Sequence, residues 1–203
     1  MDAGLLQTYG LPALLGLGLA ASTGLRTFLP LLMLALAARF ELFGVELSQN
    51  MAWLGGDAAV WSLAVAAALE FVGDKVPAID HALNAVGFVT RPLAAIVAAY
   101  AVFADADPVI AAVAAVIIGA PTALAFNAAQ GGARVASTAT TGGLGNPLVS
   151  LVEDVLAVAT VLIAFVLPLL IPVVLALLIW LVIWMANRVR RTFTRSPQTS
   201  DAS

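Results

Sequence analysis

Six stretches of this chain are predominantly apolar over fifteen or more residues: 10–38, 57–73, 90–104, 107–129, 147–166 and 169–187. A bilayer's hydrocarbon core, about 30 Å thick, is crossed by about 20 helical residues. The runs lack the period-two alternation of barrel strands, so they read as helices. Composition agrees, with 62% hydrophobic and only 10% charged residues, where a soluble domain carries about a quarter charged. The expected fold is an all-α polytopic membrane protein of about six transmembrane helices, some broken or re-entrant. It occupies residues 1–191 as one domain, followed by a polar, disordered tail over 192–203.

The first run is too long for one upright span and is interrupted by "ASTGLRT" and Pro30. Its "LALAARF" (34–40) resembles a signal-peptidase site, but no Lys or Arg precedes the apolar stretch, which reads as the first membrane helix. "LPLLIP" (167–172) supplies prolines for a tight hairpin between the last two runs. Arg188, Arg190, Arg191 and Arg195 after the last run place the C-terminus in the cytoplasm, and six spans bring the N-terminus there too. Trp53, Trp61 and Tyr100 then mark the outer interface, Trp180 and Trp184 the inner one. The expected location is a membrane, crossed several times, with both termini cytoplasmic.

An internal echo accompanies these runs. "ASTGL" (21–25) is matched by "APTAL" (120–124), "ALEFVGDKV" (68–76) by "SLVEDVLAV" (150–158), and "PLAAIVAAYAV" (92–102) by "PVVLALLIWLV" (172–182). The order is kept, and three spans per unit predict a 3+3 inverted repeat, about 10–104 and 107–190.

Ionisable residues are few, so their positions carry information. Arg26 lies sixteen residues into the first run, where a charge costs at least about 2.5–3.5 kcal/mol near the bilayer centre. It is expected to face the interior, either in a structural salt bridge or, with Ser22 and Thr23, on an anionic group. Gly16, Ala20 and Gly24 form a small-xxx-small row for close helix approach. Glu70 and Asp74, four apart, share a helix face, while Gly73 and Pro77 predict a break beside them. Lys75, Asp80 and His81 follow, in what also reads as an ordinary solvated loop. Glu153 and Asp154 are adjacent near the start of the fifth run, so at least one points inward. A shared proton and a helix N-terminal acid are both consistent with them. "FNAAQGGARVASTATTGGLGNP" (126–147), with Asn127, Gln130 and Arg134, reads as a polar loop able to fold back into the bundle.

Other chemistry is missing. There is no HExxH, GxSxG or Walker motif. The absence of cysteine excludes thiolate metal sites. No basic stripe with aromatics points to nucleic acid. No cofactor is implied.

Together "ASTGLRTFLPLL", "EFVGDKVPAIDHALNAVGFVTRPLAA" and "NAAQGGARVASTATTGGLGNPLVSLVEDVLA" resemble an uncharacterised bacterial membrane family, domain of unknown function 4126. The resemblance implies a small inner-membrane protein and brings no activity.

The residues favour a small transporter or lipid- or anion-translocating protein. Ser22, Thr23, Arg26, Arg91, Asn127 and Arg134 would hold an anionic or lipid substrate. Glu70, Asp74, Asp80, Glu153 and Asp154 would couple protons or cations. The alternatives are a metal-dependent enzyme acting on a lipid, with carboxylates and His81 around Mg²⁺ or Mn²⁺, and a non-catalytic scaffold whose buried charges fix packing. Membrane lipids are the expected partners, and a homo-oligomer is left open. The sharpest expectation is contact of Glu70 and Asp74 with Arg26 and the Glu153–Asp154 pair.

Overall fold

A computed structural model describes residues 3–193; the side chains of a few helical positions, Asp80 and His81 among them, lie outside the described residues, as does the tail from 194. Among the described residues all regular structure is helical. Helix α1 is Ala3–Leu25, opening with a π turn at Leu6–Gly10. Helix α2 is Leu29–Arg39, α3 Asp57–Gly73, α4 Pro77–Ala101, α5 Pro108–Thr141, α6 Asn146–Val166 and α7 Ile171–Phe193. Four helical stretches are long and apolar enough to cross a membrane: α1, the Ala82–Ala101 part of α4, α5 and α6. A fifth is added if the bent pair Gln49–Gly55 and α3, at 63°, makes one span. Helix α2 and the Pro168–Leu181 stretch are shorter apolar helices.

The first apolar run is two helices that double back. The backbone turns extended at Arg26 (φ −137°, ψ 120°), and Pro30 sits in the first turn of α2, where its missing N–H is harmless. The start of α1 (Gln7, Leu11) shares a hollow with Phe43, Val102, Asp105 and Phe165, while Arg26 at its end meets Asp74, Ser150 and Asp154. Helix α2 then climbs back: Phe43, soon after it, stacks on Phe165, and the Ser48 N–H donates to the Ala101 carbonyl at 2.8 Å. At about 1.5 Å per residue α1 is about 34 Å long, so Arg26 stands at the end of a span and not at its middle. The expectation of Arg26 near mid-bilayer is corrected by this reversal.

Two other boundaries move. The third run was expected from residue 90, but α4 begins at Pro77 and carries Pro92 inside it. The stretch 126–147 was expected to be a loop, yet α5 continues to Thr141. Asn127, Gln130 and Arg134, at i, i+3 and i+7, form one buried stripe on it. The turn is confined to Gly142–Gly145, where Gly142 and Gly143 take positive φ of 62° and 90°. The expected 167–172 hairpin is present as a 3₁₀ turn, Pro168–Leu170.

Helix α1 is central, packed on α4, α5, α6 and α7. Its small residues permit this: an added Cβ on Gly16 would stand 3.2 Å from Ala99, and on Gly24 2.6 Å from the Ala123 carbonyl oxygen. The outer faces are apolar instead, with Trp61, Val65 and Leu69 on α3, Val109, Val113 and Ile117 on α5, and Leu177 and Ile183 on α7 exposed. Close backbone contact inside and large side chains outside suit a lipid solvent.

Gly24→Ala should therefore force α1 from α5 and lower stability by about 1–3 kcal/mol, read as a lower chemical-denaturation midpoint in detergent. Gly131→Ala, with nothing within 4 Å of the added carbon, should leave it unchanged or slightly higher.

Candidate functional site: a buried charge network at a broken helix

Where α1 stops, its last carbonyls lack helical donors, and where α2 starts, its first amides lack acceptors. Each end receives a charge of the fitting sign from another helix. The Glu70 carboxylate of α3 accepts from the Thr27 N–H at 2.9 Å and the Phe28 N–H at 3.1 Å. Arg91 of α4 donates through Nη1 to the Gly24 carbonyl at 3.2 Å. An anion at a helix start and a cation at a helix end both oppose the backbone dipole.

Arg26, only 2% exposed, turns into the bundle between these caps. Its Nη1 pairs with Asp74 and its Nε with Asp154 at 2.6 Å. Its Nη2 donates to the Ser150 carbonyl at 3.0 Å and hydroxyl at 2.7 Å. Arg134 of α5 shares Asp74 at 3.2 Å and holds Glu153 at 2.7 Å. Gln130 joins the two halves, donating to Glu153 at 2.8 Å and accepting from Arg91. Arg91 also donates to the Asn127 side-chain oxygen. Lys75, exposed at the edge, donates to the Ser150 hydroxyl at 3.2 Å and lies 4.1 Å from the centre of the Phe71 ring.

Measured against expectation, Asp74, Glu153 and Asp154 meet Arg26 as foreseen, Glu153 at 3.9 Å. Glu70 does not pair with it and serves the backbone beside it. Glu153 and Asp154 go to different arginines, Glu153 chiefly to Arg134. Ser22 and Thr23 are buried but donate to the carbonyls of Ala157 (2.9 Å) and Leu19 (2.7 Å), away from Arg26. Arg91, Asn127 and Arg134 join the same cluster. Asp80 and His81 lie in α4 with side chains outside the described residues. Ser150 was missed, although Ser150, Glu153, Asp154 and Ala157 follow one helical face, a legible signal. Among the described residues no three His, Cys, Asp or Glu side chains are grouped to hold a metal ion.

The family described as a domain of unknown function (DUF4126) matches residues 13–188, which takes in the whole network. The chain belongs to that family. No curated protein and no solved structure matches it. The roles of this DUF4126 site therefore rest on its own geometry.

Removing one partner of a buried pair leaves the other charge stranded. Arg134→Met should destabilise by about 3–5 kcal/mol, and adding Glu153→Gln should restore part of the loss. A double-mutant cycle of detergent denaturation midpoints reads this, and strict additivity would show that the pair is not coupled. Glu70→Ala, which removes two hydrogen bonds to a charged group, should cost about 1.5–3 kcal/mol per bond at most, and should speed hydrogen exchange of the Thr27 and Phe28 amides, read by mass spectrometry.

Proposed function

We propose that the protein is a small membrane transporter, moving an anionic solute or lipid headgroup with proton or cation coupling. The observation that carries this reading is the chain break at Arg26–Phe28, set inside buried charges. Interrupted helices whose free ends meet charged groups are how many transporters build a binding site, and ionisable residues inside an apolar bundle are costly unless used. In this reading Arg91, with Asn127, holds the anion. Arg26 and Arg134, now held by Asp74, Glu153 and Asp154, are released or retained as those carboxylates take up protons or cations.

The arginines in the last turns of α7 and just beyond favour a cytoplasmic C-terminus. The α1–α2 reversal turns the chain back on itself, which favours an N-terminal helix starting on the opposite side. Helices α1 and α5 pack side by side in the same direction, Gly24 on Ala123 and Arg26 near Arg134 through Asp74. The 3+3 inverted repeat needed them opposed, and the reading does without it. Membrane lipids fit the exposed apolar rows as surroundings.

A scaffold is the second reading, favoured because Arg26 and Arg134 are fully engaged by carboxylates. The metal-dependent enzyme has less support, since Glu70, Asp74 and Glu153 each serve other donors.

Reconstitution in proteoliposomes under a pH gradient tests transport, with inorganic phosphate, acetate and a fluorescent anionic lipid as probes. Wild type should move at least one of them in a pH-dependent way, and Arg91→Lys and Glu153→Gln should reduce the rate at least tenfold. Wild-type rates from both Arg26→Ala and Glu153→Gln, or no flux of any probe, would favour the scaffold.

A further inference from the structure

Arg91 differs from the other two buried arginines of the network. Arg26 and Arg134 pair with carboxylates, whereas among the described residues Arg91 has only neutral acceptors: the Gly24 carbonyl, Asn127 Oδ1 and Gln130 Oε1. All three crowd one nitrogen, Nη1. Nε is buried without a partner, and so is Nδ2 of Asn127 beside it. The Nε–Nη2 side of a guanidinium is a two-pronged edge that matches two oxygens of a carboxylate or phosphate. Here that edge is unused, on a side chain only 2% exposed.

Gly87 lies one turn earlier on α4, and a Cβ there would stand 3.1 Å from Nε and 3.4 Å from Cζ of Arg91, so the missing side chain lets the guanidinium lie against its own helix. A buried cation with a free fork is costly as a packing element. The need to cap α1 explains Nη1 and leaves Nε unexplained.

We infer that Arg91 and Asn127 form an oxyanion subsite, taking a two-oxygen face of a carboxylate or phosphate on Nε–Nη2 with the Asn127 amide as a further donor. This deepens the transport reading by naming the group that is recognised. The nearby carboxylates have other donors, Glu70 the amides of Thr27 and Phe28, Glu153 those of Arg134 and Gln130. Lys75 is the cation nearest the surface of the network, reaching it through Ser150. A free anion and a lipid headgroup offer the same chemistry, and binding separates them.

The test is binding by the full chain, without flux. Calorimetric titration in detergent micelles with sodium phosphate and sodium acetate, against sodium chloride at equal ionic strength, reads soluble oxyanions. Thermal unfolding in phosphatidylcholine nanodiscs with and without phosphatidic acid reads a lipid headgroup. Wild type should show saturable binding in the first format, or a higher midpoint with phosphatidic acid in the second. Arg91→Lys keeps the charge but loses the fork, and Asn127→Asp keeps the acceptor for Nη1 but removes the amide donor; each should weaken the response at least tenfold. Unliganded melting of each variant shows whether it has folded, and either one suffices. No response above the chloride or phosphatidylcholine control, or a wild-type response from a folded variant, overturns the subsite. Flux without such binding removes the subsite and leaves transport. Binding without flux does the reverse.

Discussion

The architecture depends on reversing the chain at Arg26–Phe28 without stranding its backbone. A helix end in apolar surroundings leaves polar groups that lipid cannot satisfy, and here two helix ends lie three residues apart. Glu70 answers the amides and Arg91 the carbonyl, from helices that approach on different sides. Both caps are charged, so each is worth more than a neutral bond, and each is also a buried charge needing company. That need extends the site: Arg91 draws in Asn127 and Gln130, Gln130 reaches Glu153, and Glu153 and Asp74 bind Arg134. One break in one helix thus organises most of the polar interior.

The distribution of side-chain size follows from the same solvent. Lipid gives no hydrophobic drive for one apolar helix to cover another, so close packing and polar contacts hold the bundle. Glycine and alanine fill the α1 interfaces, and leucine, valine and tryptophan face outward. Helix α3 is the extreme case. Of its residues only Glu70 and Gly73 are buried, with Asp74 just beyond, so its end carries two groups that tie the reversal while the rest is half-buried, as Val60 and Leu63 are against the core, or exposed.

Much of this was legible in the sequence because lipid makes composition and position speak clearly. A charge such as Arg26 in an apolar run has few permitted surroundings, so its carboxylate partners could be named. Direction was harder. Nothing local in "STGLRTFLP" separates a kink from a full reversal; the difference lies in Glu70, 43 positions away. The extended α5 was hidden by Gly, Ser and Thr, which read as loop residues by propensity, yet tertiary burial of Asn127, Gln130 and Arg134 holds that stretch helical. Glu70 was correctly placed in the interior and wrongly partnered, since a carboxylate satisfied by backbone amides leaves no sequence signature on its partner.

The arrangement also bears on what could move. Glu70 and Asp74 ride on one helix end, one holding the reversal and the other bridging Arg26 and Arg134. Displacing that end would uncap α2 and take Asp74 from both guanidiniums, while α6 still held Arg26 through Asp154 and Ser150 and Arg134 through Glu153. Arg91, on α4, would stay where it is, still on Gly24. A fixed cation beside a carboxylate carried on a separate helix end is what the proposed binding site needs if its occupancy is to be linked to another ion.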